Sequence, residues 1–236
     1  MGKSGGIKNA NISTDCGLDN LKMALFRNGE YNGFFWKDDF CYANASVAWY
    51  GAGTPWTIAG TGGTAAGLAG HGGIVRLATN SNNVNMTGLQ LVDFDKRPKF
   101  IYFFRTAATL ADSVQQIGIY KDGNEFAVLQ ADADTNAAFR FLHAAGAATT
   151  TETSSVPIVA STWYGLVLEV GAPTGTGGAK RFPVSCKLYS PTSPTPAVIG
   201  GGSITDADTH LPFAFNGSAA AVRHLDFDLI AIAANR

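Results

Sequence analysis

The sequence predicts an all-β fold: one antiparallel β-sandwich over residues 31–236, preceded by a short N-terminal arm over residues 1–30. Three observations predict it. From Trp56 onward the chain breaks into short β-prone segments separated by turn-forming residues, the spacing expected of a sandwich. Two of those segments alternate apolar and polar residues with a period of two, which puts successive side chains on opposite faces of a sheet. A third, Lys99–Arg105, is apolar at both parities, as a central strand covered on both faces should be. A length of 236 residues fits one such unit, because sandwiches reach this size without dividing.

Residues 1–17 are polar and Gly-rich and read as a mobile or partner-ordered arm. In Leu18–Arg27 the spacing of Leu18, Leu21 and Leu25, behind Ser13, Thr14 and Asp15 as caps, permits a short helix; an extended strand is the alternative. Tyr31 to Tyr50 is crowded with aromatics, opening on Tyr31, Phe34, Phe35 and Trp36. Such side chains either close one end of the core or face a partner or a sugar.

The predicted strands are Ile74–Thr79, Met86–Leu91, Lys99–Arg105, Val114–Tyr120, Phe126–Gln130, Ala137–Leu142, Trp163–Val170, Arg181–Tyr189 and Arg223–Ile232. Asp122-Gly123 marks a tight turn that joins Val114–Tyr120 to Phe126–Gln130 as a hairpin. Ala107–Ile117 reads as a loop leading into a strand, with a helix through Leu110, Val114 and Ile117 as the alternative. In Arg181–Tyr189 the residues Phe182, Val184, Cys186 and Leu188 form one face, and Pro183, which has no N–H, predicts an edge or a bulge. In Arg223–Ile232, Leu225, Phe227, Leu229 and Ala231 are expected on the core face, with His224, Asp226 and Asp228 opposite. Gly171–Gly178 and Pro191–Gly202 are expected as surface loops.

Hydrophobic residues make up 46%, an ordinary share, while charged residues make up 15% against roughly 25% in an average soluble domain. A sparsely charged exterior has little self-repulsion, so the composition favours an assembled state. The net charge of -1 and the scattered Lys and Arg leave no footprint for nucleic acid or anionic lipid. No run approaches the ~18 apolar residues of a membrane helix. Met1 to Ala10 lacks an apolar signal core, so the chain is expected to act where it is made. Cys16, Cys41 and Cys186 lack metal or redox spacing and read as small buried hydrophobes.

No motif supplies catalytic chemistry. Gly60-Thr61-Gly62-Gly63-Thr64-Ala65 echoes a dinucleotide loop, but the helix it needs would have to run through Gly67, Gly70, Gly72 and Gly73. Asp132-Ala133-Asp134-Thr135-Asn136 begins like a calcium loop, yet Ala137 stands where Gly is required and His143 where a bidentate Glu is required. Its carboxylates read as turn caps, with a looser cation site over Asp132, Asp134, Asp206 and Asp208 as the alternative. His71, His143, His210 and His224 lack ligand spacing. Asp226-Phe227-Asp228 has two carboxylates at i, i+2, but Ile230 and Ala231 supply no third member of a glycosidase array. The pair is expected to hydrogen-bond adjacent loops. No catalytic, cofactor-binding or metal-binding residue is therefore assigned.

Three stretches carry a resemblance: Gly72–Leu77 with Gly88–Leu91, Ser161–Val170 led by Trp163, and Leu225–Ile230. Their order resembles the concanavalin A-like lectin/glucanase jelly roll of tailed-phage virion proteins, especially capsid decoration and head-fibre proteins, over residues 45–236. The resemblance implies a non-enzymatic structural protein located in the virion and assembled in the host cytoplasm. Its partners would be the major capsid protein or another virion protein and copies of itself, as a trimer by family likeness. Legume-type metal and sugar residues have no match in the chain. The alternative reading is a carbohydrate-binding module for host-surface recognition, with a glycan as the partner.

Overall fold

The computed structural model describes residues 34–38, 56–60, 64–67, 74–79, 83–88, 93–177, 180–205, 211–218 and 221–234. Among them run β1 (Phe34–Asp38), β2 (Trp56–Gly60), β3 (Thr64–Gly67), β4 (Val75–Ala78), β5 (Val84–Gly88), β6 (Lys99–Arg105), β7 (Val114–Asp122) and β8 (Glu125–Asp132). There follow β9 (Ala138–Ala145), β10 (Thr149–Pro157), β11 (Trp163–Val170), β12 (Arg181–Ser190), β13 (Ser193–Thr205), β14 (Leu211–Gly217) and β15 (His224–Ala234). A 3-10 turn, Phe94–Lys96, precedes β6.

The strands form two antiparallel sheets, the predicted sandwich. Sheet one runs β13-β12-β11-β6-β15-β4-β3, and sheet two runs β10-β9-β8-β7-β14-β5-β2. β1 joins sheet one as well: β4 pairs with the first half of β15, and β1 with the second half, Ile230–Ala234. The hairpin of β7 and β8 turns at Gly123-Asn124, where the Asn124 N–H donates to Asp122 Oδ1 at 2.8 Å.

Between the sheets Phe100, Tyr102 and Phe104 of β6 pack in one cluster with Ile117, Ile119, Leu129, Phe139 and Phe141 of sheet two. Each such side chain, fully buried, contributes roughly 1.5–3 kcal/mol. Sheet one also buries a second set on its other face, including Ile101, Phe103, Trp163, Val167 and Tyr189. β6 is thus apolar on both sides, as its sequence predicts. Polar groups inside the sandwich are spent on tying the sheets together, since burial costs them dearly unless they are paired. The Tyr102 hydroxyl donates to the Gly118 carbonyl. Asn216 Nδ2 donates to the carbonyls of Leu77 at 2.8 Å and Arg223 at 2.9 Å, and Gln115 Nε2 donates to the His224 carbonyl at 2.9 Å.

Four expectations are corrected. β15 does not alternate strictly: Phe227 pairs with Phe104 and Leu229 with Phe103, so Asp228 is the extra residue of a β-bulge. Leu225 and Phe227 enter the core, but beyond the bulge Ile230 and Ile232 do so, while Leu229 and Ala231 join the outer set. Pro183 marks neither an edge nor a bulge, because β13 lies outside β12 and their register shifts fall at Cys186/Lys187 and Leu188/Ser190. It is tolerated because β11 has ended at Val170; opposite it stands Gly171, whose N–H donates to the Pro183 carbonyl at 2.7 Å.

Pro191–Gly202 is not a loop; most of it belongs to β13, an edge strand where prolines cost little because one side needs no donor. Its glycines make room for sheet two: a Cβ at Gly202 would overlap the His143 ring, and one at Gly200 the Glu152 carboxylate. The strand expected over Met86–Leu91 begins two residues earlier, as Val84–Gly88. Residues 1–30, with the helix or strand over Leu18–Arg27, lie outside the described residues, as do Tyr31, Cys16, Cys41, His71, His210, Asp206 and Asp208.

Candidate functional site: an aromatic and amide face on sheet two

With Ile117, Ile119, Ala127, Leu129, Phe141 and Ala214 in the core, the period of two turns their neighbours to the opposite face of sheet two. The strand registers set those neighbours in straight rows. One row reads Asn85, Phe215, Gln116, Gln130, Arg140 across β5, β14, β7, β8 and β9. At 4.7–4.9 Å per strand it spans roughly 19 Å. The adjacent row reads Thr87, Phe213, Gly118, Val128, Leu142, so a residue without a side chain sits near the middle of the face. Beyond it Tyr120 stacks between two rings, 4.7 Å from Phe213 and 6.3 Å from Phe126 between centroids.

Arg140 is fixed in place. Its Nη2 donates to Gln130 Oε1 at 2.6 Å and to Asp132 Oδ2 at 3.1 Å. Carboxamides both donate and accept, the pattern that matches vicinal hydroxyls, and the ring stack offers a rigid apolar ridge beside them. Asp132 and Asp134 serve as turn caps: Asp132 Oδ1 accepts from the Thr135 N–H at 3.2 Å, and Asp134 Oδ2 from the Asp112 N–H at 2.7 Å. Among the described residues no three His, Cys, Asp or Glu side chains are grouped to hold a metal ion.

The described aromatics among those singled out in the sequence lie elsewhere. Phe34, Phe35 and Trp36 belong to β1, where they pair through the backbone with Ala234, Ala233 and Ile232 of sheet one. The row on sheet two was missed because a period-two reading gives faces and not rows. The turn alone does not give it: a regular two-residue turn at Gly123-Asn124 would set Gln116 opposite Ala131, and the register shift between Tyr120 and Asp122 moves the partner to Gln130.

Asp226 is held by neighbouring strands, not by loops as expected. Arg76 of β4 and Arg105 of β6 are its direct cross-strand partners. Arg76 Nε donates to Asp226 Oδ1 at 2.6 Å, and Arg105 Nε and Nη2 donate to Oδ2 at 3.0 and 2.5 Å. The carboxylate is 3% exposed and its oxygens are already engaged, which is the geometry of a structural anion. Cys186 is buried, and burial followed by nearby Glu152 pushes its thiol well above the usual range, so it behaves as a small hydrophobe.

No family model and no curated protein sequence matches the chain. Solved structures do. A protein of unknown function from Shewanella oneidensis MR-1 superposes with a TM-score of 0.57 at 16% identity, over 84% of this chain and 85% of that one. The GH43 protein BlXynB of Bacillus licheniformis gives 0.56 at 11% identity over 84% of this chain, which spans 39% of that protein. The exoplasmic/lumenal domain of VIP36, in a form bound to Ca2+ and Man3GlcNAc, gives 0.51 at 12% identity over 77% of this chain and 84% of that one. At these identities the likeness is one of fold: a lectin-like β-sandwich.

Proposed function

We propose that the chain is a non-enzymatic binding sandwich whose working surface is the outer face of sheet two and whose ligand is a neutral oligosaccharide. The observation that carries this is the row Asn85, Phe215, Gln116, Gln130, Arg140, flanked by the Phe126, Tyr120 and Phe213 stack. A straight line of amides, a ring and a fixed guanidinium suits a chain of hydroxyl-bearing rings laid across the strands. That the exoplasmic/lumenal domain of VIP36, in its Man3GlcNAc-bound form, shares the fold supports the reading. Isothermal titration against a broad panel of neutral glycans tests it. Binding should appear, and Gln116→Ala or Tyr120→Ala should each weaken it by about tenfold, a loss of about 1.4 kcal/mol. Silence across the panel, or binding that ignores both substitutions, overturns the reading.

A second reading is a virion component, a capsid decoration protein assembled from copies of this chain. The observation favouring it is the low share of charged residues, 15%, which leaves surfaces free to associate. Co-sedimentation with phage shells and an oligomer in solution are its expected results. A stable monomer that stays in the supernatant counts against it.

A further inference from the structure

At the end of sheet one away from Asp226 lies a cavity of about 600 Å³, within the size range of small-molecule sites. Arg97, Lys99, Glu169 and Ser185 supply its polar wall, and Pro183 part of its apolar one. Glu169 is held as an anion by Lys99 at 2.8 Å and by Lys187. Burial raises its pKa, but the hydrogen bonds from Lys187 and Lys99 outweigh that and keep the carboxyl below its ordinary range.

Arg97 is the unusual member. It caps the 3-10 turn with φ 50 and ψ 63, a left-handed conformation that glycine or asparagine ordinarily fills, and its N–H donates to the Phe94 carbonyl at 2.9 Å. Among the described residues no carboxylate pairs with its guanidinium. An arginine in a strained backbone position at the wall of a cavity points to a ligand.

We propose that this cavity binds a sugar unit bearing a carboxylate, of the uronic acid class. Arg97 takes the carboxylate in its planar fork, Glu169 and Ser185 take hydroxyls, and the ring's C–H face lies on the exposed Pro183. β1 borders the site, because Phe34 and Phe35 pair through the backbone with Ala234 and Ala233, both of which line it. The site shares no residue with the face on sheet two, so either can stand without the other.

Titration of the whole chain with glucuronate, glucose and acetate, followed by NMR chemical shifts, tests the assignment. Glucuronate should bind saturably, and glucose and acetate about tenfold or more weakly. Arg97→Gly should weaken glucuronate by about tenfold while keeping or raising the melting temperature, since glycine adopts a positive φ without strain. Gln116→Ala should leave glucuronate unchanged. The proposal is overturned if glucuronate fails to saturate, if acetate or glucose matches it, or if Arg97→Gly leaves its affinity intact. Loss on Gln116→Ala instead would move the ligand to sheet two, overturning this site while leaving the reading of that face standing.

Discussion

His224 faces Asp226, Arg76 and Arg105. Burial, then the Arg76 charge, pull its imidazole below the ordinary range; Asp226 opposes them and Arg105 adds to them. The unfolded chain therefore binds this proton more readily than the folded one, and stability falls as pH drops from the ordinary histidine value of 6.5 toward the lower folded value. Melting temperature should decline as pH falls from 7.5 into this window, and His224→Gln should flatten that part of the profile. Gly202 offers a second residue-scale test. Its missing Cβ is the space into which the His143 ring fits, so Gly202→Ala should cost about 2 kcal/mol, or about 4–8 °C in melting temperature. Shortening the partner with His143→Ala should recover part of that loss, a coupling that a double-mutant cycle measures.

Elements show where the sequence speaks and where it falls silent. The strands read correctly are mostly interior ones, such as β6, β7, β8 and β11, whose alternation or double apolarity reflects burial on one or both faces. The strands missed include those at the ends of the two strand orders, β13 and β3 of sheet one and β10 and β2 of sheet two, together with β1 beside β15 and the interior strand β14. An edge strand needs only one neighbour and one half-buried face, so its residues, as in the threonine-rich β10, carry little periodic signal. The bulge at Asp228 was illegible for a different reason. It has no residue signature of its own and exists because Ile230 and Ile232 must re-enter the core. The bulge therefore absorbs a deletion. Removing Asp228 should leave a regular strand with the same inward set, and melting should shift by no more than about 5 °C. Removing Phe103 from unbulged β6 exchanges the faces of the rest of that strand and should abolish cooperative unfolding.

At the scale of the molecule the two sheets are joined by a shared apolar layer and by a few buried hydrogen bonds from Tyr102, Asn216 and Gln115. Sheet one lies between two apolar layers, so its central strands, β6 and β15, are the most deeply enclosed. Most pairings join segments distant in sequence, a topology that predicts folding in milliseconds to seconds or slower. Stopped-flow refolding monitored by tryptophan fluorescence checks this. As for the reading of function, the amide row depends on a register shift beside the β7–β8 turn and the cavity beside Arg97 on a backbone angle, neither of which composition reveals.

β15 comes last among the strands yet sits between β6 and both β4 and β1. During synthesis the earlier strands of sheet one must wait without their central stave, leaving the edge of β6 away from β11 unpaired until His224–Ala234 has emerged from the ribosome. Such a nascent chain calls for shielding by a chaperone or by its own neighbours, and premature stop codons even a few residues upstream of His224 should yield aggregates instead of a shortened sandwich.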